Sequence, residues 1–209
     1  MQVAGRSYTR TRLRAVPVPG ASASHFAAVT PPLCRVGWLA MGIPTHVMEY
    51  TGGSAATMDG GAGRLQFRGP LGAMDGVENW YLTFSPLPPG QTIDDIRHGD
   101  TPEYLQAGGR ADKMMLDMRR PGGEQWGVAG VRYVIGHAHV GNPPLDVAIE
   151  LPHGPEYVSA PEVFTSDEAT EIFYTYYKTG DIPDGYVLRP VEGYTADGRN
   201  VDLRGVATT

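Results

Sequence analysis

The stretch "FTSDEATEIFYTYYKTGDIPDGY", residues 164–186, reads as one helix with both ends marked. Thr165 and Glu168 stand three apart, the spacing of a capping box. In that motif the hydroxyl accepts from the first turn and the carboxylate reaches back to the cap's own N–H. Phe164, just before the cap, is placed for a hydrophobic staple onto Ala169. Ala169, Ile172, Phe173, Tyr176 and Tyr177 recur at i, i+3, i+4, i+7 and i+8, which makes a single apolar stripe. Gly180 suits a left-handed C-cap, and Pro183 forbids continuation. Tyr174 falls on the polar side, beside Glu171 and Lys178 at helical spacing.

The preceding segments read as strands for that stripe to pack on. "LDVAIEL" (145–151) alternates cleanly, with Leu145, Val147, Ile149 and Leu151 facing in and Asp146, Ala148 and Glu150 facing out. "KMMLDMR" (113–119) puts Met114, Leu116 and Met118 on one face and Met115 and Asp117 on the other. "WGVAGVRYVIG" (126–136) is a strand expected to bend or bulge at Gly130. "NWYLTFS" alternates with Trp80, Leu82 and Phe84 on one side, and "GRLQFRG" (63–69) shows the same period of two. Thr101, Pro102 and Glu103 carry the start signals of a short helix that Gly108–Gly109 would stop. "GYVLRPVEGY" (185–194) reads as a last strand, followed by the Asp197–Gly198 turn and a short extended end. The fold class implied is α+β: an antiparallel β-sheet, a meander, with one or two helices packed on one face.

Residues 1–58 differ in style, being rich in Ala, Gly, Pro, Ser and Thr with no acidic residue before Glu49. They are expected to be a low-complexity, poorly ordered N-terminal extension, with 59–209 as the α+β domain. Only "PPLCRVGWLAMGIPTHVMEY" (31–50) has apolar density there, and Met41 and Met48 are alternative starts. The 28 glycines and 18 prolines make up roughly a fifth of the 209 residues, which favours short elements and turns.

Composition narrows the chemistry. The single cysteine, Cys34, excludes an internal disulfide and any Cys-rich zinc site, and it suits a reducing, cytoplasmic setting. No apolar run reaches the 18 or so residues that span a bilayer, so no membrane association is expected. Residues 1–90 hold 7 Lys and Arg against 4 Asp and Glu, a balance of +3. Residues 91–209 hold 10 against 19, a balance of −9. The acidic portion argues against nucleic-acid binding and permits a basic protein partner.

No nucleophile elbow or Walker-type loop is present. Ser159 lacks the glycine frame of an elbow, and "GGAGRLQFRG" (60–69) lacks the lysine of a phosphate cradle. Asp94, Asp95 and His98 read as a solvated helix face, and Trp80, Tyr81 and Phe84 as a packed strand rather than a stacking platform. His137 and His139 form an H-x-H whose imidazoles share a side if the chain is extended. They are the candidate metal pair of an alternative, metal-dependent reading, with Glu150 or His153 as further ligands. Otherwise no cofactor is expected.

Phe164, Thr165, Asp167, Glu168, Ala169, Phe173, Tyr176, Tyr177, Thr179, Gly180 and Pro183 fit the form (V/F)-(T/S)-x-(D/E)-(E/Q)-A-x-x-x-F-x-x-(Y/F)-x-x-T-G-x-x-P. Together with the preceding strand series, about residues 90–190, this resembles the immunity proteins of bacterial polymorphic toxin systems. The similarity is to the first-catalogued family of that kind, whose members neutralise deaminase-type and other intracellular toxins. The resemblance implies a cytoplasmic protein that binds a cognate toxin and blocks its active site without catalysis of its own. The exposed carboxylates and aromatics expected to meet such a partner are Asp146, Glu150, Glu171, Tyr174, Asp181 and Asp184.

Overall fold

The computed structural model describes residues 43–97 and 102–205. Cys34, Met41, His98, Thr101 and the expected extension up to residue 42 lie outside them. The elements run β1 (Pro44–Tyr50), β2 (Ala55–Asp59), α1 (Leu65–Gly72), β3 (Tyr81–Pro86), α2 (Ile93–Arg97), β4 (Tyr104–Arg110), β5 (Lys113–Pro121), β6 (Gly130–His137), β7 (Val147–Ile149), β8 (Glu156–Val158), α3 (Ser166–Thr179), β9 (Tyr186–Tyr194) and β10 (Asn200–Asp202). The fold is α+β. Eight strands form one antiparallel sheet in the order β10-β9-β6-β5-β4-β3-β1-β2, and β7 and β8 pair separately. β3 to β6 form a meander, in which β5 and β6 are expected strands, while the expected third member, 145–151, lies outside this sheet. β1 and β2 join it on one flank, so the boundary expected at residue 58 falls inside the sheet.

The helix α3 forms as its sequence specifies. Thr165 accepts from the Glu168 N–H, and the Glu168 carboxylate accepts from the Thr165 N–H at 2.9 Å. These bonds hold the Glu168 carboxyl below its usual range. Gly180 closes the other end at φ 77°, where a side chain would be strained. The whole stripe is buried. It packs with α1 on the sheet face that carries Met48, Leu82, Phe84, Leu105, Leu116, Met118 and Ile135. Phe67, Phe84, Phe173 and Tyr177 meet there with ring centroids 5.2–6.4 Å apart, the range of favourable edge and tilted contacts.

Two expected elements take the other form. The stretch "GRLQFRG" is mostly helix α1. Phe67 and Leu71, four apart, are buried, while Leu65 is 77% exposed. A window ending at Gly69 shows only an alternation of two apolar residues and misses the i, i+4 pair. A helix of eight residues is marginal alone; α3 and the sheet hold this one. The short helix expected after Thr101 is instead β4. Leu105 and Ala107 bury by alternation, and the positions three and four after Leu105 are both glycine. Gly109 lies within β4, paired with Met114 of β5. A Cβ there would lie 2.7 Å from the Lys113 carbonyl and 2.9 Å from Ile149.

The second face of the sheet is only partly wet. β7 and β8 lay Ile149 and Val158 on Met115, Val134 and Val191. The short helix α2, capped by mutual bonds of Thr92 and Asp95, covers Val47 and Leu87 with Ile96. Hence "LDVAIEL" is not a strand of the main sheet. It is a three-residue strand in a flap over the sheet, and Leu145 is 43% exposed rather than facing in. The irregularity expected at Gly130 falls two residues later, between Arg132 and Tyr133, where β9 carries the extra residue. No helix among the described residues is long and apolar enough to cross a membrane.

Thermal or urea unfolding checks this hierarchy. Phe173→Ala is expected to cost about 3–5 kcal/mol and Thr165→Ala about 1 kcal/mol. Leu65→Ala, at an exposed position, is expected to stay within about 0.5 kcal/mol.

Candidate functional site

Between Arg132 and Lys178 the sequence carries seven Asp and Glu residues and no Lys or Arg. The fold decides which of these carboxylates remain available. Glu162 is buried against Arg189, with one N–O contact at 3.0 Å. Asp167 meets Arg68 at 3.2 Å, and Glu171 receives Arg64 Nε on both oxygens at 2.9 Å. Glu168 is spent on the helix cap and on His137, 3.3 Å away. That leaves Asp146, Glu150 and Glu156, all in the flap, with no basic side chain paired to them among the described residues.

The six residues expected to face a partner therefore separate. Asp146 and Glu150 flank β7, above the second face of the sheet. Glu171 and Tyr174 lie on α3, on the opposite side. Both are already engaged: the Arg64 guanidinium that holds Glu171 also sits 4.4 Å from the Tyr174 ring centroid. Asp181 faces Arg120 at 3.6 Å, and Asp184 is exposed in the turn before β9. A single flat partner surface cannot cover both sides, so the flap and the α3 face are separate sites.

The histidine pair is also divided in its bonding. His137, at the end of β6, stacks on Phe164 at 4.6 Å. Its Nδ1 lies 2.7 Å from the Pro161 carbonyl and its Nε2 3.3 Å from Glu168. His139 Nδ1 lies 2.9 Å from the His137 carbonyl. Among the described residues, no three His, Cys, Asp or Glu side chains gather as a metal site would need. Ser159 is buried in the capping box of a short 3-10 turn, and Phe84 is core.

A cluster absent from the sequence-based expectations lies under the flap. Strand register sets Thr83, Gln106, Asp117 and Val134 in one row across β3 to β6. A neighbouring row holds Tyr104, Arg119, Arg132, Glu192 and Asp202. Asp117 is 3% exposed. Its Oδ2 accepts from Arg132 at 3.3 Å, while Oδ1 has no partner. Arg132 also faces Glu192 at 3.6 Å, and Glu192 accepts from the Tyr194 hydroxyl at 2.7 Å and from Asn200 at 2.8 Å. Arg119 lies over the Tyr194 ring at 3.7 Å. The signal for this cluster was the run Met114–Met118. Apolar residues on both faces of β5 mark a strand covered on both sides, so Asp117 within it is not on a wet face.

Burial pushes the Asp117 carboxyl up to about 6, against the opposing pull of Arg132, and the negative charges of Glu156 and Glu192 add to the rise. A folded-state value above the ordinary 3.8 means that the folded protein holds this proton more tightly than the unfolded chain. The group therefore costs stability where it is ionised, above about pH 6. That cost, on the order of 3 kcal/mol, disappears as pH falls through 6 toward 4. In urea melts across that window Asp117→Asn should flatten the pH profile relative to the parent, the remaining carboxylates being common to both. An unchanged difference profile would place the proton elsewhere.

No protein-family model, no curated protein and no solved structure matches this chain.

Proposed function

We propose that this chain is an immunity-type binding protein, which captures a basic cognate toxin in the cytoplasm and blocks its active site by occupying it. The observation that carries the reading is the uneven use of carboxylates. Asp167, Glu171 and Glu162 are neutralised by the chain's own arginines and Glu168 is held by the helix cap and His137, whereas Asp146 and Glu150 stand exposed and unpaired among the described residues. Charge left uncompensated at a surface raises the encounter rate with a basic partner and disfavours acidic ones. The α3 pattern, from its capping box to Pro183, supports the same reading through its resemblance to toxin-neutralising immunity proteins. Binding alone then accounts for activity, because a toxin that acts on nucleic acid needs an open basic cleft and loses function when an acidic surface fills it.

Co-expression in a bacterial host with a panel of basic, deaminase-type toxin domains tests the proposal. Growth arrest by the cognate toxin should be relieved by this chain, and the two should elute as one complex. Association should slow by about tenfold or more as ionic strength rises from low to high salt. Toxin activity left intact across the panel by a stoichiometric amount of this chain would overturn it.

A further inference from the structure

Resting on that reading, we infer that the outer surface of the β7–β8 flap is the docking surface, with Tyr157 receiving an arginine or lysine side chain of the partner between Asp146 and Glu150. The register makes the constellation. Ala148 pairs directly with Tyr157. Asp146 and Glu150 immediately precede and follow the three-residue strand, two residues to either side of Ala148, and both are exposed; strand alternation sets them on the side of Ala148. Ile149 and Val158 point the other way and are fully buried on the sheet, which holds the flap in place. Diagonal neighbours on a strand pair are about 7–8 Å apart, within reach of a long side chain lying between them. Tyr157 is 56% exposed.

The molecule itself supplies the missing component of this set twice. On α3, Tyr174 and Glu171 are joined by Arg64, which donates to the carboxylate at 2.9 Å and covers the ring at 4.4 Å. On β9, Tyr194 donates to Glu192 and lies beneath Arg119 at 3.7 Å. On α3 one guanidinium serves both groups; on β9 two share the task, Arg119 over the ring and Arg132 facing the carboxylate. Tyr157, Asp146 and Glu150 present the same two components, and no basic residue among those described completes them. The nearest Lys or Arg in sequence are Arg132 and Lys178, and both are committed: Arg132 to Asp117 and Glu192, Lys178 to the rings of Tyr174 and Tyr177.

The surroundings suit a protein partner rather than a free cation. Of the six large apolar side chains exposed among the described residues, Tyr157 lies in the flap itself and Leu145 two residues before β7. An exposed tyrosine with apolar neighbours and a charged rim is the composition of an interface centre, and arginine is the residue most often found opposite. The α3 face offers no equivalent, because its tyrosine and carboxylate are already occupied by Arg64.

The probe is a short blocked peptide with two arginines, titrated into the isotope-labelled full chain and followed by amide shifts, with the citrulline analogue as control. Saturable shifts at Ala148, Glu150 and Tyr157 are expected for the arginine peptide and not for citrulline. Tyr157→Ala and the double variant Asp146→Asn, Glu150→Gln should each weaken them by about fivefold, while Tyr157→Phe, which keeps the ring, should retain them. The parent amide spectrum elsewhere verifies that each variant is folded. Shifts that centre on Glu171 and Tyr174, shifts that citrulline reproduces, or no shifts at all would overturn the docking surface. The toxin assay separates the two proposals. Neutralisation unaltered in the flap variants would overturn this surface and leave the immunity reading standing. Arginine binding at the flap without neutralisation would overturn the immunity reading and leave the surface standing.

Discussion

The burial of one apolar stripe organises this molecule. Phe173, Tyr176 and Tyr177 on α3 meet Phe67 of α1 and Phe84 of β3 in one aromatic cluster, and strands from β1 to β6 contribute to its floor. Each of these side chains removes apolar surface from water worth about 1.5–3 kcal/mol. Tyr177 adds a polar anchor, donating its hydroxyl to the Asp59 carbonyl and accepting from the Ala62 N–H at 3.1 Å. That pair of bonds ties the end of β2 and the lead-in to α1 onto the helix. Residues more than a hundred positions apart are thus fixed by a single side chain, and the first strands become part of the domain.

With that face sealed, the opposite face sets the character of the protein. It is divided into an apolar portion beneath the flap, an apolar portion beneath α2 and a half-buried polar portion around Asp117. The polar portion sits at an energetic disadvantage: a buried carboxylate shares Arg132 with Glu192 and leaves one oxygen unbonded. Breaking such a pair is expensive although its formation contributes little. The flap above it is thin, two strands of three residues each, and its outward carboxylates have no internal use. Stability is concentrated on the helix side and uncompensated charge on the flap side. That division follows from where the arginines fall, with α1 carrying two of them against α3.

The α3 helix was fully legible because its signals are local. Cap, stripe, left-handed glycine and stopping proline all lie within 23 residues. The strands β3, β5, β6 and β9 were legible for the same reason, since alternation is read within one segment. α1 and β4 were misread where the decisive contact is distant. Phe67 and Leu71 need α3 to make a helical face meaningful, and Leu105 and Ala107 need the neighbouring strands. The flap alternates as cleanly as a strand of the main sheet, because alternation reports which residues bury. It does not report what they bury against.

The same limit governs the site. Sequence alone determined the α+β class, the capped helix, the acidic balance beyond residue 90 and the candidacy of Asp146, Glu150, Glu171, Tyr174, Asp181 and Asp184 as outward groups. It also determined that no Lys or Arg lies between residues 132 and 178. Tertiary structure decided which of those groups are spent and which remain. Arg64 reaches Glu171 and Tyr174 from a helix 107 residues earlier, Arg120 reaches Asp181, and nothing described reaches Asp146 or Glu150. The physical reason is that ion pairs form over a few ångströms of space, irrespective of separation along the chain. Net charge is a property of the sequence, but the place where it stays uncompensated is a property of the fold.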